Sequence, residues 1–312
     1  MSAVKTVFIA GPTASGKTDL AVRLALAFSG EIVSADSMQI YRGIHIASAA
    51  PDEAEKQGVP HHLLEFLEPT AEYSVAEYTA AANRVIGEIS ARGHLPIVVG
   101  GTGLYISALA DGIVFTEEKT DRGLRRELEE HMERLGAEQM LQELAGFDPE
   151  TAARLHPNDR RRIIRAFEIY TLTGHTLTEQ NMLSKQGNRL IEPLLIGLTY
   201  RDRAALYARI DARVDQMLAN GLAEEAKAAS ALQNGGAVQA IGHKELAPYL
   251  RGECSLAEAA DHLKQQTRRY AKRQLTWFRR EERMRWLYAD EGDPFLQAAE
   301  WIKEFLKKEK TP

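Results

Sequence analysis

Short apolar, β-branched runs alternate along the first hundred residues with longer segments whose apolar residues recur every three to four positions. The runs predict buried strands at Val4–Ala10, 31–35 and 95–99, and the helical spacing predicts helices over Lys17–Phe28 and 75–92. Glycines follow or interrupt these segments. Strands separated by helices at this spacing indicate βαβ units, and therefore a parallel sheet.

The pattern changes after about Gly112, where helix-forming residues continue without a good strand over 124–135, 137–145, 149–155 and 160–172. A strand at 194–199 then returns to the sheet, followed by helices over 203–220, 222–233, 255–280 and 295–308. We therefore predict an α/β protein, with a P-loop-type parallel sheet flanked by helices and an all-helical insertion domain. The predicted catalytic core is residues 1–112 plus 194–312, and the predicted insertion is residues 113–193.

Composition narrows the class of protein further. The chain has 312 residues, of which 44% are hydrophobic and 27% charged, and these fractions exclude collagen, coiled-coil and wholly disordered chains. No apolar run approaches the ~20 residues that span a bilayer, and no secretory signal precedes the first strand. The single cysteine, Cys254, excludes an internal disulfide and a Cys-rich zinc site. These features predict a cytoplasmic protein without membrane contact.

The loop after the first strand fits the phosphate-binding pattern G-x-x-x-x-G-K-[ST]. Its glycines allow backbone N–H groups to curl around phosphate oxygens, and the helix that follows points its positive end at them. Lys17 adds a charge, and Thr18 offers a hydroxyl to a magnesium ion. The alternative is a glycine-rich turn that binds nothing, although the strand before and the helix after favour a di- or triphosphate site. The predicted binding residues are Gly11, Pro12, Thr13, Ala14, Ser15, Gly16, Lys17 and Thr18.

Two further strand ends are predicted to lie at the same edge of the sheet. The strand at 95–99 ends in Gly100-Gly101-Thr102-Gly103 rather than in the Asp of a Walker-B strand, which is unlike a typical ATPase. That segment is either part of a site or a plain tight turn. Asp36 follows the second strand, at the edge where open α/β sheets bind ligands. It is a candidate magnesium ligand or general base, and the alternative is a helix-capping or Asx-turn residue.

Basic residues cluster twice in a chain whose net charge is −5. Between Lys264 and Arg285 stand nine Lys and Arg residues, opposed within that stretch by Glu281 and Glu282, with aromatic residues interleaved. A second cluster covers 154–165. Each run alone is typical of a solvated helix face, but the two together favour a polyanionic partner such as RNA. His61-His62 lacks further ligands at metal spacing and is predicted to form a structural turn.

Taken together, these motifs resemble one family, the bacterial tRNA dimethylallyltransferases (tRNA isopentenyltransferases). The resemblance covers nearly the whole chain and rests on long, ordered motifs. These are GPTASGKT at Gly11, DSMQIYRG at Asp36, GVPHHL at Gly58, LPIVVGGTGLYI at Leu95, HPNDRRRIIRAFE at His156, RIDARVDQML at Arg209, QAIGHKE at Gln239 and RRYAKRQLTWFRR at Arg268.

The resemblance implies transfer of a dimethylallyl group from dimethylallyl diphosphate to the exocyclic amine of the adenosine 3′ of the anticodon in tRNA. Diphosphate is released and Mg²⁺ is required. By similarity, Asp36 accepts the proton of the amine, and Lys17, Thr18 and Arg213 hold the diphosphate, with Thr18 as the metal-binding residue. The implied protein is a nucleotide- or ATP-binding transferase that acts as a monomer on the tRNA anticodon stem-loop. Its implied tRNA-binding residues are Asp36, Ser37, Met38, Gln39, Thr102, Arg125, Asn158, Asp159, Arg160, Arg161, Arg162, Arg273 and Gln274.

The chain departs from the family pattern in two places. The segment Ile46-Ala47-Ser48-Ala49-Ala50 lacks the Gly and the Lys of the usual I-G-T-A-K, and His243 stands where a Tyr is common. Two other functions remain open at this point. One is a P-loop kinase acting on a small molecule or nucleotide, which has no need of the basic carboxy-terminal stretch. The other is an RNA-binding protein whose nucleotide acts as a switch.

Overall fold

The structure, a computed structural model, describes residues 3–115, 121–184, 190–232 and 235–308. It divides into two compact units. The first contains Met1–Ala110 and Arg189–Pro312, and the second contains Asp111–Asn188. Within the described ranges, no helix is both long and apolar enough to cross a membrane.

The first unit is built on a six-stranded sheet in which every pairing is parallel, in the order β3-β2-β4-β1-β5-β6. Val7 of the central first strand pairs with Ile97 on one side and with Leu194 on the other. The predicted α/β class with a parallel sheet is therefore confirmed. The strands are β1 (Val4–Ala10), β2 (Gly30–Ser34), β3 (His61–His62), β4 (Leu95–Gly100), β5 (Ile191–Thr199) and β6 (Arg285–Tyr288).

Helices connect the strands of the first unit. In chain order the described helices are α1 (Lys17–Phe28), α2 (His45–Ser48), α3 (Glu53–Lys56), α4 (Val75–Ala91), α5 (Gly103–Asp111), α6 (Arg122–Leu135), α7 (Ala137–Phe147), α8 (Pro149–Arg154), α9 (Arg160–Thr173), α10 (Leu177–Ser184), α11 (Arg203–Ala219), α12 (Leu222–Ser230), α13 (His243–Leu250), α14 (Leu256–Phe278) and α15 (Pro294–Lys307). Five of these helices, α6 to α10, lie between α5 and β5 and form the second unit.

Both faces of the sheet are covered, so its strands are apolar almost throughout. Successive side chains of β1 point to opposite faces of the sheet and pack in two different apolar clusters. Val7 and Ile9 pack with α1 and α15, whereas Phe8 and Ala10 pack with α4 and α5. All four are fully buried. The sheet is thereby fixed between two layers, and its carboxyl edge presents the loops that follow the strands.

A buried carboxylate organises the opposite, amino-terminal part of β2. Glu31 is 3% exposed and accepts from Arg92, His62 and His94 at 2.8, 2.6 and 2.6 Å. Hydrogen bonds from Arg92, and then from the two histidines, lower the pKa of Glu31 to about 2 against the opposing effect of burial. The predicted turn at His61-His62 is wrong, because these residues form the short strand β3 beside β2. In the described ranges no three His, Cys, Asp or Glu side chains are placed to hold a metal ion.

The second unit buries its own apolar clusters between short helices. Met132, Met140 and Ile163 form one of them, and Leu144 with Ala166 forms the centre of another. Its ordered turns depend on caps such as Asp148, which is 2% exposed. This carboxylate accepts from the backbone N–H of Thr151 at 3.1 Å and from the Thr178 hydroxyl at 2.6 Å. The α7–α8 turn and the start of α10 are thereby joined.

Candidate active site

The phosphate loop lies between β1 and α1, where both of its glycines adopt backbone conformations that other residues rarely adopt. Gly11 has φ +151° and Gly16, the N-cap of α1, has φ +92°. A Cβ on Gly11 would overlap the carbonyl oxygen of Leu198 at the end of β5. The Ser15 hydroxyl is buried and has no hydrogen-bond partner in the structure. A close-packed loop with a free buried hydroxyl suits an incoming phosphate oxygen.

Lys17 begins α1 and turns back over the loop, where its Nζ donates to the carbonyl oxygen of Pro12 at 2.7 Å. Burial, and then the positive charge of Arg213, lower the pKa of Lys17 to about 8 against the opposing effect of Asp36. An ammonium that is already partly desolvated interacts strongly with an anionic ligand, because less water must be removed from it.

Asp36 comes two residues after β2 and lies on the same edge of the sheet. Its Oδ1 accepts from the backbone N–H of Met38 at 2.9 Å. Burial raises the pKa of Asp36, and the backbone donors of Met38 and Gln39 together with the charges of Lys17 and Arg213 partly offset that rise. A carboxylate with a raised pKa is a stronger base, as proton abstraction near neutral pH requires.

The loop after β4 is locked against the Asp36 loop. The Thr102 hydroxyl accepts from the backbone N–H of Ser37 at 2.9 Å, and the Thr102 N–H donates to the carbonyl of Ala35 at 3.1 Å. A Cβ on Gly100 would overlap that same carbonyl group. Close backbone approach therefore requires Gly100, and the side chains of Gln274 and Trp277 fill the space where Gly101 and Gly103 would carry a Cβ.

Gln274 of α14 joins this loop to the phosphate loop. Its Nε2 donates to the carbonyl of Gly101 at 3.0 Å, and its Oε1 accepts from the N–H of Thr13 at 2.9 Å. The side chain is 6% exposed. Sequence similarity predicts Gln274 as a tRNA contact. That role stays a prediction, whereas the structure assigns both ends of the amide to holding two loops together.

Arg213 and Arg209 approach the loop from α11, one helical turn apart. Arg209 donates to the carbonyl of Ala14 at 3.1 Å and stacks on the ring of Tyr200. Burial lowers the pKa of Arg213, which lies near the charges of Glu55 and Asp36. Two guanidinium groups and an ammonium therefore converge on a loop built to bind anions.

These side chains line a cavity of about 410 Å³ in the first unit. It brings together most of the predicted site residues of this unit and adds others from α11, α13 and α14. Its predicted members are Thr13, Lys17, Thr18, Asp36, Ser37, Met38, Gln39, Arg213, Arg273 and Gln274. Thr102 is not among its lining residues and contacts Ser37 instead.

A second cavity of about 630 Å³ continues on the other side of the phosphate loop. It contains Ala14, Gly16 and Arg209, together with the acidic side chains of Asp19, Asp52 and Glu55. The two cavities share a common wall. Its residues are Lys17, Thr18, Ala49, Arg213 and Met217.

Sequence reasoning did not identify several lining residues of the first cavity. Tyr270 and Lys244 bring an aromatic ring and a further cation, and Val214, Met217 and Ile241 bring apolar surface. Val214 and Met217 belong to an apolar stripe of α11 that reads as ordinary core. Ala47, Ser48 and Ala49, from the segment that departs from the family pattern, also line this cavity.

The basic stretch at 264–285 is less free than its sequence suggests. Lys264 pairs with Asp215 at 2.6 Å and Arg268 pairs with Asp211 at 2.5 Å, both partners being on α11. Acidic residues from outside the stretch therefore neutralise two of its nine basic side chains. Within the part of the chain that is described, exposed basic side chains without an ion pair remain along α14 and just beyond it at Arg269, Lys272, Arg273, Arg279 and Arg280.

The remaining predicted tRNA-binding residues belong to the second unit. Arg125 lies 3.4 Å from Glu129 and 3.8 Å from Glu168. Arg162 lies 3.7 Å from Asp159, which precedes α9. A cavity in this unit is lined by Glu129, Glu133, Asn158, Asp159, Arg160, Arg161, Arg162 and Ile164. The recess is polar and contains three arginines and three acidic side chains, and its contact with RNA stays a prediction.

Comparison with known proteins is consistent with this geometry. The family model described as IPP transferase matches residues 39–281. The chain is 47% identical over 304 residues to a tRNA dimethylallyltransferase of Geobacillus thermodenitrificans, covering 97% of this chain and 96% of that one. It is 43% identical over 308 residues to a tRNA dimethylallyltransferase of Caldanaerobacter subterraneus, covering 97% and 98%.

Solved structures of similar enzymes share the fold of this chain. A tRNA isopentenylpyrophosphate transferase of Bacillus halodurans superposes with a TM-score of 0.72 at 40% identity, covering 97% of each chain. A eukaryotic dimethylallyltransferase described as acting on tRNA superposes with a TM-score of 0.83 at 30% identity, covering 99% of this chain and 82% of that one.

Proposed function

Because this chain belongs to the IPP transferase family, the tRNA dimethylallyltransferases, we propose that its phosphate loop holds dimethylallyl diphosphate as a group donor. The chain is a tRNA-modifying prenyltransferase rather than the P-loop kinase considered above. The observation that carries the site assignment is the cavity that unites the phosphate loop with Asp36. One side of that cavity can bind an anionic leaving group, and the other presents a base.

The reaction forms a bond between the exocyclic nitrogen of adenosine and C1 of the dimethylallyl group, while the C1–oxygen bond to diphosphate breaks. The leaving oxygen keeps the electron pair of that bond. Lys17 and Arg213 are placed to neutralise the charge that develops on the diphosphate, with the N–H groups of the loop around it. Arg209 holds the loop itself through Ala14.

The amine of adenine is a weak nucleophile, because its lone pair is delocalised into the ring. Its proton must leave as the new bond forms, so a base must stand within hydrogen-bond reach. Asp36 supplies that base, and its burial keeps its proton affinity high. The adenosine must leave its stack to enter the cavity, which a single-stranded anticodon loop allows at low cost.

A divalent cation, Mg²⁺, fits the donors at this site. Thr18 lines both cavities and brings a hydroxyl to them, and Asp36 lines the first cavity and brings a carboxylate. These are hard oxygen donors. Since no cluster of three metal-binding side chains exists among the described residues, the diphosphate and water would supply the remaining ligands, as Mg²⁺ prefers. When bound, the ion would neutralise diphosphate charge.

The RNA substrate is the tRNA anticodon stem-loop, and the enzyme acts as a monomer. The exposed cations of α14 support contact with its phosphates, and Tyr270 beside Arg273 offers a ring for base stacking. The three consecutive arginines at the start of α9, Arg160, Arg161 and Arg162, support a further contact.

The test is to incubate an unmodified tRNA transcript with labelled dimethylallyl diphosphate and locate the label after nuclease digestion by mass spectrometry. We expect one dimethylallyl group, on the adenosine 3′ of the anticodon. A transcript with guanosine at that position is the matched control and should stay unlabelled. Transfer of label from [γ-³²P]ATP to a small acceptor, with none from the prenyl donor, would overturn the proposal.

A further inference from the structure

A buried acid and a buried histidine lie outside the chemistry described above. Glu225 of α12 and His243 of α13 are 3.1 Å apart, and their side chains are 10% and 3% exposed. His243 Nδ1 also faces the carbonyl oxygen of Ala237 at 3.3 Å. The ring nitrogens of His243 therefore face two acceptors, and the one that faces Glu225 holds that carboxylate in place.

The carboxylate of Glu225 makes two further hydrogen bonds, and both go to α2. Its Oε2 accepts from the N–H of Ile46 at 2.8 Å, and its Oε1 accepts from the N–H of Ala47 at 2.9 Å. These are free donors of the first turn of a helix, because the N-cap residue, Ile44, has no side chain that could accept them. Glu225 therefore caps α2 from a distant element.

The other end of α2 is tied to the reaction site. The Nε2 of Gln39 donates to the carbonyl of Ala49 at 3.1 Å, and its Oε1 accepts from the Ser34 hydroxyl at 2.9 Å. Gln39 lines the first cavity with Asp36, and its backbone N–H is one of the donors to the Asp36 carboxylate. Ala47 and Ser48 line that cavity, and Ala49 belongs to the wall that both cavities share.

The short helix has little of its own to hold it in place. It has four residues, none of which is buried, and a helix of that length is unstable without tertiary partners. Ile46 and Ala47 pack partly against neighbouring apolar clusters, and His45 contacts Glu65. The backbone of the helix is held by the Glu225 carboxylate at its start and by Gln39 at its end. A displacement of about 1 Å at such a wall is enough to cost about 10²-fold in rate.

We propose that Glu225 and His243 are positioning residues for the prenyl transfer. His243 orients the Glu225 carboxylate, Glu225 fixes the start of α2, and α2 with Gln39 then holds the wall of the donor cavity and the Asp36 loop. The proposal rests on the proposed function, and it gives a role to the histidine that stands where the family commonly has tyrosine. A tyrosine hydroxyl could also donate to Glu225.

The first experiment measures kcat and KM for dimethylallyl diphosphate in Glu225→Gln. Its matched control is Glu224→Gln, on the exposed face of the same helix. The amide keeps the size of the side chain but accepts poorly from two N–H groups and a histidine. We expect kcat/KM to fall by about 10–100-fold, as for other residues that orient a reacting group, with a raised KM. The control should match the unmodified chain.

A double-mutant cycle with Gln39→Leu separates positioning from loss of stability. If Glu225 acts through α2 and Gln39, the double variant will be no worse in kcat/KM than the worse single variant. If Glu225 merely stabilises the fold, the two losses will multiply and will follow the folded fraction measured by thermal unfolding. That second outcome overturns the proposal.

A second pair of variants tests the histidine. His243→Tyr retains a donor toward Glu225, and His243→Phe removes it, so the two differ by one oxygen atom. We expect the tyrosine variant to stay within about threefold of the unmodified chain and the phenylalanine variant to lose about tenfold or more. Equal activity of the two overturns the role of His243. Absence of prenyl transfer by the unmodified chain would instead refute the proposed function.

Discussion

Burial shifts the pKa values of Lys17 and Asp36 in opposite directions, and each shift suits the role proposed for the side chain. It lowers the pKa of the Lys17 ammonium to about 8 and raises that of the Asp36 carboxyl. The lysine is therefore a cation at neutral pH that is poorly solvated, and the aspartate is a base that is stronger than a free carboxylate.

The lysine shift predicts a pH dependence of anion binding. The protonated form binds diphosphate, so affinity should fall as pH rises through about 8, where the free site loses that proton. Calorimetry with inorganic diphosphate between pH 6.5 and 9.5 measures this. In Lys17→Met the lysine-dependent decline should vanish, and turnover should fall by roughly 10²–10³-fold. Diphosphate itself titrates in this range, but its titration affects both proteins equally and cancels when they are compared. If the affinity of Lys17→Met falls with pH as much as that of the unmodified chain, another group causes the decline. Lys227→Met, on the surface of α12, is the control.

The aspartate is tested by Asp36→Asn, which keeps the shape and the hydrogen-bonding capacity of the side chain but cannot accept the proton. Turnover should fall by about 10²–10⁴-fold, while diphosphate and tRNA binding stay within several-fold of normal. Single-turnover kinetics with equilibrium binding measure both. Asp261→Asn, an exposed position on α14, should behave as the unmodified chain. Unchanged turnover would place the base elsewhere, and a selective loss of Mg²⁺-dependent diphosphate binding would make Asp36 a metal ligand.

Site residues could be predicted from the sequence where they lie in one contiguous motif or directly after a strand. The phosphate loop is contiguous, and Asp36 directly follows a strand, so both could be predicted from spacing. Gln274, Tyr270 and Lys244 reach the site from helices far along the chain, and only the packing of those helices brings them there. The ion pair between Arg268 and Asp211 could not be predicted either, because it depends on how α14 packs against α11.

At the scale of elements, burial on both faces of the sheet makes its central strand sensitive to substitution. Phe8 of β1 is fully buried and packs among α4 and α5. Phe8→Ala should lower the free energy of unfolding by about 3–5 kcal/mol, through lost transfer energy and the cavity that remains. Urea unfolding measures this. Leu26→Ala, at a position of α1 that is 55% exposed, should change it by less than about 0.5 kcal/mol.

The long helices and strands could be predicted because their apolar periodicity extends over several turns. Short elements could not. The strand β6 has four residues, and α13 contains Pro248, which argues against a helix in any reading of local propensity. β5 begins three residues before its predicted start. Pro193 is tolerated there because β6 pairs with β5 only from Ile196 onward, which leaves that side of the strand unpaired.

At the scale of the whole molecule, a net negative chain must bind a polyanion through local charge. The exposed, unpaired cations Arg269 and Lys272 are the best probes, since Lys264 and Arg268 are neutralised by α11. Replacing both by Ala should lower the slope of log tRNA affinity against log salt by about 1–2 units. Binding of dimethylallyl diphosphate should not change.

The matched control for that prediction replaces Lys303 and Lys307, two exposed cations on α15, by Ala. Filter binding between 50 and 300 mM salt measures both slopes. An equal slope in the two double variants would mean that the cations of α14 form only a solvated face.

The place of β1 in the sheet has a consequence for how the protein is made. One of the two partners of β1, β5, begins at Ile191 and is synthesised only after the whole second unit. At roughly 5–20 residues per second, β1 waits on the order of 10–40 s for that partner. During this interval the edge of a buried, apolar strand is exposed in the nascent chain. Ribosome-bound chains that stop before Ile191 should therefore require a chaperone, and those that include Thr199 should require it less.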